Sequence, residues 1–97
     1  MQKPPVHLTE AAIREISSIV VQKKIPEGFG LRIGTRGGGC SGVQYFIGFD
    51  SGKEGDDRFD FDGFQVFIEK KHFLHLAGMK VDFVEEESQR GFFFEPV

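Results

Sequence analysis

Cysteine occurs once in these 97 residues, tyrosine once and tryptophan not at all. One thiol cannot close an internal disulfide, so the fold must hold by packing rather than by cross-links. No stretch approaches the roughly 20 apolar residues that a membrane-spanning helix needs, and the opening MQKPPVHLTE lacks the apolar centre of a signal peptide. Charge of one sign is also scarce: twelve basic and fifteen acidic residues, mixed along the chain, give a formal net charge of -3. Without a basic stripe to neutralise phosphates, no nucleic-acid partner is expected. Together these absences lead to the expectation of a cytoplasmic protein with a reduced thiol and no membrane partner.

What is abundant is phenylalanine, twelve residues, and glycine, thirteen. Phenylalanine buries a large flat surface with no polar atom to satisfy, so it is read here as core. A composition of 39% hydrophobic and 28% charged residues suits a folded chain. The length suits one domain, residues 1–97, with one modest core.

The segment LTEAAIREISSIVVQKK, residues 8–24, predicts an amphipathic helix. Thr9 is a suitable N-cap, with Leu8 able to staple onto Ile13; Ile13, Ile16 and Val20, widened by Ala12 and Ile19, form the apolar stripe. Lys23 and Lys24 suit the negative end of the helix dipole, and Pro26 blocks continuation. Beyond it the period changes to two. Leu31, Ile33 and Thr35 fall on one face of a strand and Arg32 and Arg36 on the other, while Val43, Tyr45, Ile47 and Phe49 share a face of the next; both read as half-buried strands. In RFDFDGFQVFIE, Asp62-Gly63 separates two alternating runs and predicts a β-hairpin. A short helix follows in KKHFLHLAG, with Phe73, Leu76 and Ala77 inward and Gly78 as its stop. KVDFVEE and RGFFFEP supply two last strands on either side of the polar residues 85–89. The order is that of an α+β fold.

The lone cysteine stands in GTRGGGCSG, Gly34 to Gly42. Gly37, Gly39 and Gly42 match the spacing of a dinucleotide-binding turn, but that turn must open a helix, and here the chain runs on into an alternating strand. A nucleophilic cysteine would want a base, and nothing in the spacing ties His7, His72 or His75 to Cys40; a phosphatase-like loop would want an arginine soon after Cys40, and none follows before Arg58. Two readings stay open. The glycines can let backbone approach a bulky inorganic group while the thiolate offers a soft ligand, or the segment is a glycine-rich turn followed by a small buried cysteine. Four glycines within residues 37–42 lose much backbone entropy on folding, which favours a loop that serves something.

The stretch LRIGTRGGGCSGVQY resembles the signature of the A-type iron-sulfur carriers, the HesB/IscA-like family. LTEAA, GFD, DGFQVFIEKKHFLHLAG, VDF and GFFFEP follow in the family's order, so the similarity spans essentially the whole chain. The resemblance implies a compact, sandwich-like arrangement of mixed sheets with an N-terminal helix and one short helix. It also implies a carrier or scaffold, not an enzyme, that takes iron or an iron-sulfur cluster at a homodimer or tetramer interface, from a cluster donor to apo-protein acceptors. Cys40 occupies the position of the family's loop ligand, with Gly37, Gly38 and Gly39 permitting close approach and Ser41 and Tyr45 at most behind it. Family members carry a further C-x-C pair on a glycine-rich tail, whereas this sequence reads GFFFEPV to Val97; set beside the family, that implies either a degenerate member without the pair or a chain cut short of it. By chemistry alone, His7, His72, His75 and Glu85 to Glu87 are the other donors, each read first as a solvated or packed side chain. The alternative is a metal-free paralogue that acts in cluster biogenesis as a protein-interaction module.

Overall fold

The structure, a computed structural model, describes residues 4–37, 43–61 and 63–97, and of Val43 the backbone alone. Strand β1 (His7–Leu8) leads into helix α1 (Glu10–Gln22), followed by β2 (Phe29–Gly37), β3 (Val43–Ser51), β4 (Asp56–Phe61) and β5 (Phe64–Glu69). A single 3-10 turn, Lys70–His72, runs into the short helix α2 (Phe73–Leu76), and β6 (Met79–Glu85) and β7 (Arg90–Pro96) complete the chain. The strands form two mixed sheets, of order β3-β2-β5-β4 and β1-β6-β7, each with one parallel pair, so the α+β class stands.

Helix α1 begins where the cap chemistry requires. Thr9 has extended backbone, its Oγ1 accepts the Ala12 N–H at 3.2 Å and donates to Asp82 Oδ1 at 2.7 Å. One hydroxyl thus caps the helix and ties it to β6. At the other end Lys24 takes a left-handed φ of 51°, so Lys23 and Lys24 lie past the last helical residue instead of in the last turn. Ala12 and Ile16 are fully buried, with Ile13 and Val20 packed at their flanks. They join Leu31, Ile33, Val66, Ile68, Leu76 and Val81 in a core shared by the helix and both sheets. The stacking of Tyr45 on Phe94, with ring centroids 5.0 Å apart, brings β3 and β7 together.

The β4–β5 hairpin has the expected register, Phe61 opposite Phe64, with Gly63 at φ 96°; its other turn residue, Asp62, lies outside the described residues. The two-residue strand β1, parallel to β6, carried no recognisable pattern in the sequence.

Two expectations of burial change. Arg32, assigned by alternation to an open face, is 6% exposed. Strand β2 is interior to its sheet, and on that second face Phe67 is fully buried beneath the guanidinium groups of Arg32 and Arg58, 5.9 and 5.2 Å from its ring centre. The buried Arg32 is satisfied by Asp50 (3.2 Å), Asp56 (2.8 and 2.7 Å) and the Ser51 carbonyl (2.9 Å). Hydrogen bonds from Arg32 hold the Asp56 carboxyl below its ordinary range against the opposing cost of burial, and the Ser51 N–H followed by Lys53 does the same for Asp50. In α2 only Leu76 turns inward, since a four-residue helix can aim few side chains at one core; Phe73 is 41% and Leu74 86% exposed, and Ala77 is also exposed. Gly78 ends the segment at φ 80°.

Candidate functional site

Strands β2 and β3 pair without a break from Phe29 opposite Ser51 to Gly37 opposite Val43. This long ladder delivers both ends of the glycine segment side by side at one end of the sheet. Gly37 has φ 80°, a left-handed conformation that costs a glycine little and other residues more. Gly38, Gly39, Cys40 and Ser41 lie outside the described residues.

Around the frame of that segment the fold gathers three of the residues that the sequence nominated. His72, at the end of the 3-10 turn, reaches β2, where its Nδ1 accepts the backbone N–H of Thr35 at 3.4 Å. Tyr45, three residues into β3, donates its hydroxyl to the His75 carbonyl at 3.5 Å. Short helix and strand ends are therefore joined on both β2 and β3. Phe46 meets the His72 ring edge-on, at 6.3 Å and 89°, and carries the Arg36 guanidinium 4.8 Å from its ring centre.

The other nominated donors are not brought here. His7 lies on β1 in register with Lys80, and Glu85, at the end of β6, accepts from Arg90 Nε at 2.6 Å. Glu86 and Glu87 lie beyond β6, where the Glu86 N–H donates to the Gln89 carbonyl at 2.7 Å. Among the described residues no group of three or more His, Cys, Asp or Glu side chains is placed to hold a metal ion. His72, whose Nδ1 is occupied by a backbone N–H, offers only its Nε2 to anything else. The donor set of the described part is thus far from a closed cage, and a ligand-binding reading of this end of the sheet rests on Cys40.

The contact from His72 to Thr35 was not anticipated by the reading of the sequence. Its signal there is Gly34, a glycine inside an alternating strand, which marks a close approach. A Cβ at position 34 would stand 2.6 Å from His72 Nδ1 and 2.7 Å from the Phe46 ring.

A family model described as iron-sulphur cluster biosynthesis matches residues 5–95. The chain is 36% identical over 90 residues to the iron-binding protein IscA of Pectobacterium carotovorum, the match covering 92% of this chain and 82% of that protein. Among solved structures it is similar to Escherichia coli SufA, involved in biosynthesis of iron-sulfur clusters, with a TM-score of 0.78, 32% identity and coverage of 94% of this chain and 79% of that one. A crystal structure of IscA with a 2Fe-2S cluster matches with a TM-score of 0.69, 25% identity and coverage of 94% and 81%.

Proposed function

The chain belongs to the iron-sulphur cluster biosynthesis family, as an A-type carrier, and we propose that it holds iron or an iron-sulfur cluster as cargo through Cys40 and surrenders it to apo-protein acceptors. The observation that carries this reading is the unbroken β2–β3 ladder. It sets Gly37 and Val43, the two residues that flank the segment carrying Cys40 in the sequence, opposite each other at one end of the sheet. Binding elements mounted on rigid strands are placed more reproducibly than those on long free loops.

The chemistry is ligand exchange. The Cys40 thiolate donates to iron, an acceptor thiolate enters at the same iron, and Cys40 departs as a thiolate with no electron transferred. The chain works in this as a carrier rather than an enzyme. Clusters of two or four irons are usually held by about four cysteines. A symmetric homodimer would supply two, leaving the remaining positions to oxygen or imidazole donors, a loose grip that suits transfer. A cytoplasmic setting, where thiols stay reduced, fits the same chemistry.

The metal-free interaction module is the second reading. It is favoured by the exposed Phe73 and Leu74 on the helix beside β2.

Anaerobic reconstitution of the chain with ferrous iron and sulfide, beside Cys40→Ser, separates the two. Visible absorbance at about half a two-iron cluster per chain, lost in the variant, supports a thiolate-bridged dimer. A colourless, folded chain, or colour that survives in Cys40→Ser, sinks the carrier role of Cys40.

A further inference from the structure

We propose that His72 is a positioning residue for the cargo segment, acting through the backbone of Thr35; this rests on the reading of Cys40 as the cargo contact. Strand β2 runs past its parallel partner. The pairing with β5 comprises Leu31 with Val66 and Arg32 with Phe67, after which β5 ends at Glu69 and turns away. Thr35 lies beyond that pairing, and its N–H is taken by the imidazole of His72 instead of by a strand.

Three further features hold the ring there. Gly34 has no side chain, and a Cβ would lie 2.6 Å from Nδ1, so the approach of the imidazole depends on the glycine. Phe46 packs edge-on to the ring from β3, and the Tyr45 hydroxyl meets the His75 carbonyl, which fastens the helix that follows His72 to the same two strands. Because Nδ1 accepts, the neutral ring carries its proton on Nε2. His72 thus closes the free side of β2 two residues before Gly37, where the chain takes its left-handed turn toward Cys40. Without that acceptor, residues 35–37 would be held by β3 alone, on one side of the strand that leads to the cargo segment.

The test uses the metal-free chain first. Amide hydrogen exchange at Thr35 should quicken about fivefold or more in His72→Ala, the equivalent of one ordinary hydrogen bond, and nitrogen-15 spectra of the wild-type ring should show the Nε2–H tautomer. In reconstituted protein, His72→Ala should lose iron to a chelator about fivefold faster on the same scale. His72→Asn, whose amide oxygen can stand where Nδ1 stands, should restore both rates with an unchanged absorption spectrum. Should His72→Ala not fold, Gly34→Ala, which pushes the imidazole off Thr35 from the other side, should reproduce its behaviour. Unchanged exchange at Thr35 in both variants overturns the anchoring. Faster exchange with unaltered iron retention overturns the link to cargo, and a changed spectrum that Asn does not restore makes His72 a ligand instead. Exchange in the metal-free chain is independent of Cys40, so it tells failure of the anchor from failure of the carrier reading.

Discussion

Arg32 and Asp56 form a two-pronged pair, Nη1 to Oδ1 at 2.8 Å and Nη2 to Oδ2 at 2.7 Å, with the Asp56 side chain wholly buried and that of Arg32 8% exposed. This geometry joins β2 to the start of β4 across a face of the sheet where no strand pairing links them. Breaking one side of a buried pair leaves a charge without compensation. Asp56→Ala is therefore expected to lower unfolding free energy by about 3–5 kcal/mol, measured by urea unfolding. A loss below about 1 kcal/mol, the scale of an exposed pair, would show that the buried pair adds little.

Acid should act through the same cluster. Asp50 and Asp56 both have carboxyl groups held below the ordinary aspartate range, by the Ser51 N–H and Lys53 for Asp50 and by Arg32 for Asp56. A carboxylate stabilised in the folded state contributes stability that is present above the unfolded value, about 3.9, and is lost as pH falls through the lower folded value. Melting temperature should accordingly stay level near neutrality and fall from about pH 4 downward. Asp50→Asn should make that fall shallower, and an acid limb identical to wild type would remove Asp50 from the account.

Two glycines of neighbouring strands should respond oppositely to alanine. At Gly30 a Cβ would meet the Gln65 carbonyl oxygen at 2.7 Å and the Phe67 ring at 2.8 Å, neither of which can yield easily; at Gly48 it would meet nothing within 4 Å. Gly30→Ala should cost about 1–3 kcal/mol, whereas Gly48→Ala should be neutral or gain up to about 1 kcal/mol from reduced unfolded-state freedom. Equal effects in denaturant titrations would contradict the packing of Phe67 against Gly30.

Leu74 is the test of the exposed short helix. At 86% exposure it contributes little to the core, so Leu74→Glu should change stability by no more than about 0.5 kcal/mol. If α2 is a contact surface, the same variant should slow cargo transfer to an apo-acceptor while leaving iron loading intact. Unaltered transfer would assign no such role to α2.

Much of this architecture was readable because its rules are local. Thr9 announces the helix, the Asp62-Gly63 pair the hairpin, and the alternation through Leu31 and Ile33 or Tyr45 and Ile47 the two long strands, since each depends on residues adjacent in the chain. The inward turn of Arg32 was not readable. Its carboxylate partners are 18 and 24 positions away, and alternation cannot tell a solvent-facing position from a second buried layer. The contact from His72 to Thr35, across 37 positions, escaped for the same reason, although Gly34 hinted that something came close. Gly38, Gly39 and Cys40 stood out as a motif, and it was the resemblance across the whole chain, not the glycines themselves, that gave that motif a chemistry.

The parallel pairing of β1 with β6, locked by the Thr9 hydroxyl on Asp82, joins positions 73 apart. During synthesis the first helix can coil early, but its capping residue has no anchor until Asp82 has cleared the ribosome. The four strands between Phe29 and Glu69 can pair before then, so the sheet of β1, β6 and β7, and with it the seat of the first helix, is the part of the core that closes last.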